Sequence, residues 1–152
     1  MDDRLFRTAM GRFATGVTVI TTKVNETIHG MTANAFVSVS LNPKLILVSI
    51  GEQAQMNELL KESGHFAVSI LNDNQEDLSA YFAGQINEER KIDFDVFNGM
   101  DVIKDALVNM TCTVQNSVVA GDHTLFIAEV TDLRVQDGDP LLFYGGAYRN
   151  IK

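Results

Sequence analysis

The chain has 152 residues, of which 45% are hydrophobic and 21% are charged, and its formal net charge is −8. These values are typical of one globular domain that is large enough to bury a hydrophobic core. Nucleic acids and anionic membranes attract positively charged surfaces, so the acidic balance argues against both as partners. The single Cys112 excludes an intrachain disulfide, and we expect no metal site because the three histidines are widely separated.

The beginning of the chain predicts a helix rather than a targeting segment. The first residues are acidic and lack the apolar region of a secretory signal, and no apolar run approaches the length of a membrane span. We therefore expect a cytoplasmic protein. Residues 3–13 predict an amphipathic helix, because four large apolar side chains fall on one side. These side chains are Leu5, Phe6, Met10 and Phe13.

The stretch of residues 31–41, MTANAFVSVSL, alternates strictly between two kinds of side chain. The odd positions are apolar, and the even positions carry short uncharged polar groups except at Phe36. Because successive side chains of a strand point to opposite faces, this pattern predicts one long strand with a neutral polar face. Such a face can hydrogen-bond a flat uncharged ligand, although an ordinary half-buried strand with a Ser/Thr-rich outer face has the same pattern.

Strands dominate the rest of the chain. Residues 85–100 are interpreted as an irregular surface excursion and residues 145–149 as a loop. Because the helices are too short for a doubly wound parallel sheet, the sequence predicts a mainly β protein, an antiparallel barrel with a few short helices. The patterns predict strands over residues 17–22, 45–50, 65–71, 108–114, 125–135 and 140–144, and helices over 57–63 and 72–81.

The familiar catalytic motifs are absent from this sequence. It has no P-loop lysine motif, no nucleophile elbow and no dinucleotide-binding glycine fingerprint. What remains is the polar strand face, a loop with glycine and glutamine before a helix, and two groups that contain glycine. Those groups are GDHT at residues 121–124 and GGAYR at residues 145–149.

Five stretches are informative together: residues 6–22 (FRTAMGRFATGVTVITT), 30–41 (GMTANAFVSVSL), 66–84 (FAVSILNDNQEDLSAYFAG), 121–130 (GDHTLFIAEV) and 140–149. In this order they resemble the short-chain flavin reductase family, whose fold is the FMN-binding split barrel. The resemblance runs over almost the full length of the chain. It implies a single flavin reductase-like domain over residues 1–152, folded as an antiparallel split β-barrel of Greek-key type.

The resemblance also implies a function. A member of this family is a homodimer that binds FMN or FAD and reduces it with a hydride from NADH or NADPH. The reduced flavin is often passed to a partner monooxygenase. Because the cofactor carries the chemistry, such a protein stacks two rings, hydrogen-bonds the flavin edge and excludes water. The absence of acid, base and nucleophile motifs agrees with that task.

The resemblance assigns roles to individual residues. His123 and Tyr148 are the candidate catalytic residues, facing the nicotinamide or the open face of the flavin. Along the isoalloxazine ring it places Thr32, Ala33, Asn34, Ser38, Val39 and Ser40. Near the rest of the flavin and its phosphate it places Ser49, Gln53, Gln55, Met56, Asn57, Arg90 and Lys91.

Some of these assignments have structural alternatives. Asn34 can be a turn amide, Arg90 with Lys91 a solvated surface pair, and His123 a residue that ties down its own turn. The chain also departs from the family in two places. Residues 51–57 lack the usual serines and threonines, and Gly145-Gly146 stands where many members have Arg or His.

Two other functions remain open from the residues themselves. One is an FMN-binding electron-transfer flavoprotein with little NAD(P)H activity. The other is a barrel that binds an unrelated small ligand.

Overall fold

The computed structural model describes residues 1–86 and 89–151, and within them strands far outnumber helices. None of the helices in these ranges is long and apolar enough to cross a membrane. The elements in chain order are α1 (Asp3–Met10), β1 (Thr15–Gly16), β2 (Thr18–Val24), β3 (Thr27–Ala33), β4 (Phe36–Ser40), β5 (Leu45–Gly51), α2 (Gln55–Ser63), β6 (His65–Ile70), α3 (Glu76–Phe82), β7 (Phe94–Phe97), β8 (Met100–Ile103), β9 (Val108–Ala120), β10 (His123–Val135), β11 (Leu142–Tyr144) and β12 (Ala147–Arg149).

The largest sheet has seven antiparallel strands in the order β3-β2-β6-β9-β10-β5-β4. Smaller sheets are formed by β1, β11 and β12 and by the hairpin β7–β8. The prediction of a mainly β, antiparallel protein with a few short helices is therefore confirmed. A closed barrel is not formed, because the outer strands β3 and β4 are not paired with each other in the described sheet.

The prediction of one strand over residues 31–41 is wrong, because the chain breaks at Asn34-Ala35. β3 ends at Ala33 on one edge of the large sheet, and β4 begins at Phe36 on the opposite edge. The break has its own hydrogen bonds: the Phe36 amide donates to the Asn34 carbonyl (3.0 Å), and the Ser49 amide donates to the Ala35 carbonyl (3.1 Å). Two residues span little distance, so the sheet must curl to bring its edges close together.

The interpretation of residues 85–100 as irregular is confirmed for 85–86 and 89–93 but wrong for 94–100; residues 87 and 88 lie outside the described ranges. β7 and β8 form a hairpin whose turn is Asn98-Gly99, with both residues at positive φ (47° and 77°). Asn-Gly is a strong sequence signal for such a turn, so this hairpin is predictable from the sequence. The predicted loop at 145–149 is likewise a hairpin, in which Gly145-Gly146 joins β11 to β12.

The main core lies between the large sheet and α2. Large side chains that are almost fully buried there include Ile20, Val48, Leu60, Phe66 and Phe126. α2 ends at Gly64, whose φ of 70° is the left-handed conformation that glycine adopts most readily. Cys112 packs in this core, as its alternation with apolar neighbours predicts, and burial raises the pKa of its thiol to about 12.

The hairpin β7–β8 is held to the large sheet by buried polar side chains. The Asn109 amide donates to the Ser69 hydroxyl (2.9 Å) and the Ile103 carbonyl (3.1 Å), and its oxygen accepts from Arg134 Nε (2.9 Å). Arg134 continues to Asp95 of β7 (2.7 Å), and this hydrogen bond is the main reason that the pKa of Asp95 is lowered. On this face the hydrogen bonds lie beside a second apolar cluster, which includes Val19, Leu71 and Ile103, so the layer under the hairpin is both polar and apolar.

This layer yields a stability prediction. Asn109→Ala should lower the free energy of unfolding by about 1–3 kcal/mol, because it leaves the buried Ile103 carbonyl without its side-chain donor. Asn116→Ala is the matched control, since Asn116 lies on the same strand but is exposed, and it should change stability by less than about 0.5 kcal/mol. Urea unfolding measures both variants. Equal effects for the two would contradict this role of Asn109.

Candidate functional site

The central cleft lies at the break between β3 and β4. Its volume is about 560 Å³, within the range of small-molecule sites. Apolar side chains form most of its wall, with a few polar groups among them. The lining residues are Phe13, Ala14, Thr15, Gly16, Val17, Thr18, Asn34, Ala35, Phe36, Val37, Leu47, Ser49 and Ile70.

Thr15 supplies the most informative polar atom of the central cleft. Its hydroxyl oxygen is buried and has no hydrogen-bond partner in the described part of the chain. A buried hydroxyl without a partner is costly, and because Thr15 also lines the cleft, its hydroxyl is a candidate contact for a bound group. Asn34 and Ser49, which can donate or accept hydrogen bonds, line the same cleft as Thr15.

The strand register places His123 on the same side of the sheet as the central cleft. Leu47, Ser49 and Gly51 alternate along one face of β5, and the cross-strand partner of Gly51 is His123. A β-carbon added to Gly51 would lie 3.7 Å from His123 Nε2, so the imidazole rests over this glycine. The distance along β5 from Ser49 to Gly51 is about 7 Å.

His123 is paired with its neighbour. Its Nδ1 lies 2.8 Å from Asp122 Oδ1, and the side chain is 47% exposed. The hydrogen bond to His123 is the main reason that the pKa of Asp122 is lowered, and Arg7 adds a small contribution. When the carboxylate accepts the Nδ1 proton, Nε2 is left as the free ring nitrogen on the Gly51 side.

A second cavity, here called the helix cleft, lies under α1. Its volume is about 630 Å³, and it shares three lining residues with the central cleft: Phe13, Thr15 and Asn34. The other lining residues are Phe6, Arg7, Met10, Gly11 and Phe143. No residue of α1 is buried, so the apolar side of this helix borders the cleft and the solvent together.

Tyr148 stands beside a third, smaller cavity of about 150 Å³, here called the tyrosine cleft. Its hydroxyl is 2.7 Å from Ser79 Oγ, and its ring packs edge-on against Phe143. The Thr32 hydroxyl donates to the Ser79 carbonyl at 2.6 Å. Thr32, Ala33, Asn34 and Tyr148 all line this cleft, so the structure brings these four predicted site residues together. Asn34 borders all three clefts.

The loop at residues 51–57 contains both exposed and buried members of the predicted phosphate site. Gln53 and Gln55 are exposed, whereas Met56 packs in the core. Asn57 is buried, and its amide donates to the carbonyls of Ile50 (3.1 Å) and Gly51 (3.3 Å), so its side chain fixes the loop. α2 begins after Ala54 without a side-chain cap, which leaves amides of its first turn available.

Other predicted residues lie apart from the three clefts. Ser38 pairs with Ile46 and therefore points to the face opposite Leu47 and Ser49, while Val39 sits at a register shift of β4. Ser40 ends the same edge strand. Arg90 binds Asp77 (3.1 Å) and lies with Lys91 along a separate cavity of about 440 Å³.

The sequence analysis missed Phe13, Thr15 and Val37 as lining residues. The stretch FATGV belongs to a segment that carries the family resemblance, but no local pattern distinguishes Thr15 from the other threonines. Val37 was placed on the buried side of a continuous strand. The register of β4 against β5 puts it next to Leu47 in the central cleft instead.

Comparison with known proteins identifies the relatives of this chain. An NADH-dependent flavin reductase of a Rhodococcus species is 46% identical over 149 residues, which cover 96% of this chain and 85% of the relative. The reductase component of a 4-hydroxyphenylacetate 3-monooxygenase from Thermus thermophilus is 34% identical, covering 96% of this chain and 95% of the relative.

A solved structure, the flavin reductase PheA2 in its native state, superposes with a TM-score of 0.98 at 58% identity, covering 100% of this chain and 99% of that one. The family model described as "flavin reductase like domain" matches residues 10–152. Sequence identity over nearly the whole chain shows a common family and not only a common fold. The chain belongs to the flavin reductase-like family.

Proposed function

We propose that residues 1–152 form one domain that acts as an NAD(P)H-dependent flavin reductase, moving a hydride from the nicotinamide to FMN or FAD. The observation that carries this conclusion is the identity of 46% over nearly the whole chain to an NADH-dependent flavin reductase. The central cleft supports it, because its mostly apolar wall with a few neutral polar groups suits a flat ring with one polar edge.

The residues around Asn34 fit a flavin ring by their chemistry. The ring is flat and apolar with one polar edge, and the central cleft combines apolar walls with Thr15, Asn34 and Ser49. The unpartnered Thr15 hydroxyl offers a hydrogen bond to that edge. Thr32 and Ala33 would act through their backbone, because the Thr32 hydroxyl is already used within the protein.

The loop before α2 contains further predicted flavin contacts. Gln53, Gln55 and the free amides at the start of α2 lie beyond Gly51, in line with Leu47 and Ser49, so they suit the phosphate end. Met56 and Asn57 stabilise that loop: Met56 is buried in the core, and the Asn57 amide donates to the Ile50 carbonyl.

For a second group of residues, contact with flavin on the same subunit has no support from the three clefts. They are Ser38, Val39, Ser40, Arg90 and Lys91. The three on β4 lie on an edge strand with much exposed surface, so a contact that they make across a subunit boundary remains part of the proposal.

The flavin supplies the chemistry when bound, because its ring accepts a hydride and stores two electrons. The chain needs to hold the ring, admit the nicotinamide and keep water out. His123 lies on the cleft side of the sheet with its Nε2 beside Gly51, and Tyr148 lines the adjoining tyrosine cleft. Both are proposed to orient the nicotinamide rather than to exchange protons with it.

We propose that the protein is a homodimer with the curled sheet of a split barrel. α1 exposes Leu5 (61%) and Phe6 (53%), and the edge strand β4 with the residue after it exposes Val39 (48%) and Leu41 (80%). Exposed large apolar side chains and an unpaired strand edge favour an interface, and a twofold copy of the same chain is the commonest partner.

The proposal also includes a partner oxygenase and a cellular location. A relative is the reductase component of a monooxygenase, which supports delivery of reduced flavin to an oxygenase. A cytoplasmic location is supported by the free thiol of Cys112, since proteins of oxidising compartments more often pair their cysteines.

The activity is tested by mixing the flavin-saturated protein with NADH without oxygen and following the visible flavin band. We expect the band to bleach. His123→Ala should slow the bleaching far more than it weakens flavin binding, because orientation of the second ring acts on the transfer rate. Bound flavin that is not bleached would indicate an electron-transfer flavoprotein, and a protein that binds no flavin would overturn the proposal. A His123 variant that loses only thermal stability would show that His123 is structural.

The role of Thr15 is tested by Thr15→Val. Without flavin, this change should leave the free energy of unfolding unchanged or slightly higher, because it removes a buried hydroxyl that has no partner. With flavin, affinity should fall about two- to twelvefold, the effect of losing about 0.5–1.5 kcal/mol from one neutral hydrogen bond. Flavin titration and urea unfolding measure the two effects.

The matched control is Thr124→Val, because Thr124 also has a buried hydroxyl without a partner but lines none of the clefts. Thr124→Val should leave flavin affinity unchanged. If Thr15→Val binds flavin as tightly as the parent protein, Thr15 is not a flavin ligand.

The dimer is tested by sedimentation of Leu5→Glu and Leu41→Glu at micromolar concentration. Each change places a charge on exposed apolar surface, so we expect the folded variants to sediment as monomers while the parent protein sediments as a dimer. Val135→Glu is the control, because Val135 is 68% exposed but lies on a different strand. A monomeric parent protein with bound flavin, or dimeric glutamate variants, would contradict this interface.

A further inference from the structure

A cavity on the far side of α1, here called the arginine cleft, has a strongly basic lining. It lies between the end of α1 and the β11–β12 hairpin, and its volume is about 470 Å³. Arg7, Arg12 and Arg149 all line it. These are three of only 12 basic residues in a chain whose net charge is −8, so their concentration in one cleft is not explained by overall composition.

The three guanidinium groups have little direct contact with carboxylates, although Arg7 interacts weakly with Asp122. Among the described residues, none of the three forms an ion pair, and Arg149 instead lies over the Tyr144 ring (5.5 Å). Arg7 is in the last turn of α1, where a positive charge stabilises the helix. That structural reason does not extend to Arg12, which follows the helix, or to Arg149 on β12.

The backbone fixes the two sides of the arginine cleft against each other. The Gly145 amide donates to the Gly11 carbonyl (2.9 Å), which ties the hairpin turn to the end of α1. Gly11 keeps the right-handed helical conformation (φ −65°, ψ −15°), and its amide donates to the Arg7 carbonyl (2.9 Å), so it continues the end of α1. Gly145 and Gly146 have φ values of 61° and 78°, which allow the tight turn. These contacts therefore fix the relative positions of the backbone segments that carry the three arginines.

The arginine cleft adjoins the candidate site through shared lining residues. It shares Arg7 and Gly11 with the helix cleft, and the helix cleft shares Phe13, Thr15 and Asn34 with the central cleft. A ligand whose reacting ring enters at the central cleft can thus extend along α1. Its next chemical group would meet positive charge on both sides.

We propose that the arginine cleft binds the diphosphate of the nicotinamide dinucleotide. This inference rests on the proposed function, which requires that dinucleotide as hydride donor. The diphosphate carries two negative charges and several acceptor oxygens, and guanidinium groups match such oxygens in paired hydrogen bonds. The chain thereby gains affinity for an anionic donor despite its acidic surface, because the positive charge is local.

The experiment compares two hydride donors on the flavin-saturated protein. One is NADH, and the other is 1-benzyl-1,4-dihydronicotinamide, which has the reacting ring but no phosphate. Arg12→Gln and Arg149→Gln should each raise the KM for NADH about three- to tenfold and leave kcat nearly unchanged, since this contact is the same before and during the reaction. Neither change should alter the rate with the neutral donor.

The matched control is Arg4→Gln, because Arg4 carries the same charge on α1 but does not line the arginine cleft. It should leave the KM for NADH unchanged. An unchanged KM in both cleft variants, or an equal loss with both donors, would overturn the proposal. Weaker flavin binding in the cleft variants would also overturn it, because the arginines would then serve the flavin phosphate.

Direct titration of NAD⁺ separates this proposal from the proposed function. If the parent protein reduces flavin with neither donor, the reductase assignment fails. NAD⁺ affinity that falls in Arg12→Gln and Arg149→Gln but not in Arg4→Gln would still support the arginine cleft. NAD⁺ affinity that is equal in all four proteins would overturn it.

Discussion

The two-residue link at Asn34-Ala35 is the constraint on which the rest of the structure depends. It joins strands at opposite edges of a seven-stranded sheet, so the sheet must curl until those edges almost meet. The gap between them, with Thr15 and Ser49 on its wall, becomes the central cleft. Asn34 cannot belong to either strand, and this is why it borders three clefts at once.

The curled sheet has two faces with different chemistry, and each has its own task. One face packs an apolar core against α2, with Phe66 and Phe126 among its fully buried members. The other holds the β7–β8 hairpin through the hydrogen bonds of Asn109. Both arrangements make the sheet rigid, so the groups that line the clefts are positioned before any ligand binds.

Binding and orientation are sufficient for the function proposed here. A hydride transfer between two cofactors places no proton on the protein, so neutral polar groups and apolar walls are the suitable lining. On the cleft side of the sheet, the hydrogen bond between Asp122 and Nδ1 of His123 fixes the orientation of the imidazole, whose Nε2 lies beside Gly51. The arginine cleft adds what the neutral lining lacks, which is attraction for an anionic donor.

The sequence by itself determined the mainly β class, most strands, all three helices and membership of the family, because periodicity and motifs are local properties of a chain. It did not determine the break at Asn34, which lies inside a perfectly alternating stretch, because alternation does not report which neighbour a strand pairs with. Only the tertiary structure decided that Ser38 points away from Ser49, that Asn57 is buried and that the Thr15 hydroxyl has no hydrogen-bond partner among the described residues. The physical reason is that faces and cavities depend on the register between strands that are distant in sequence.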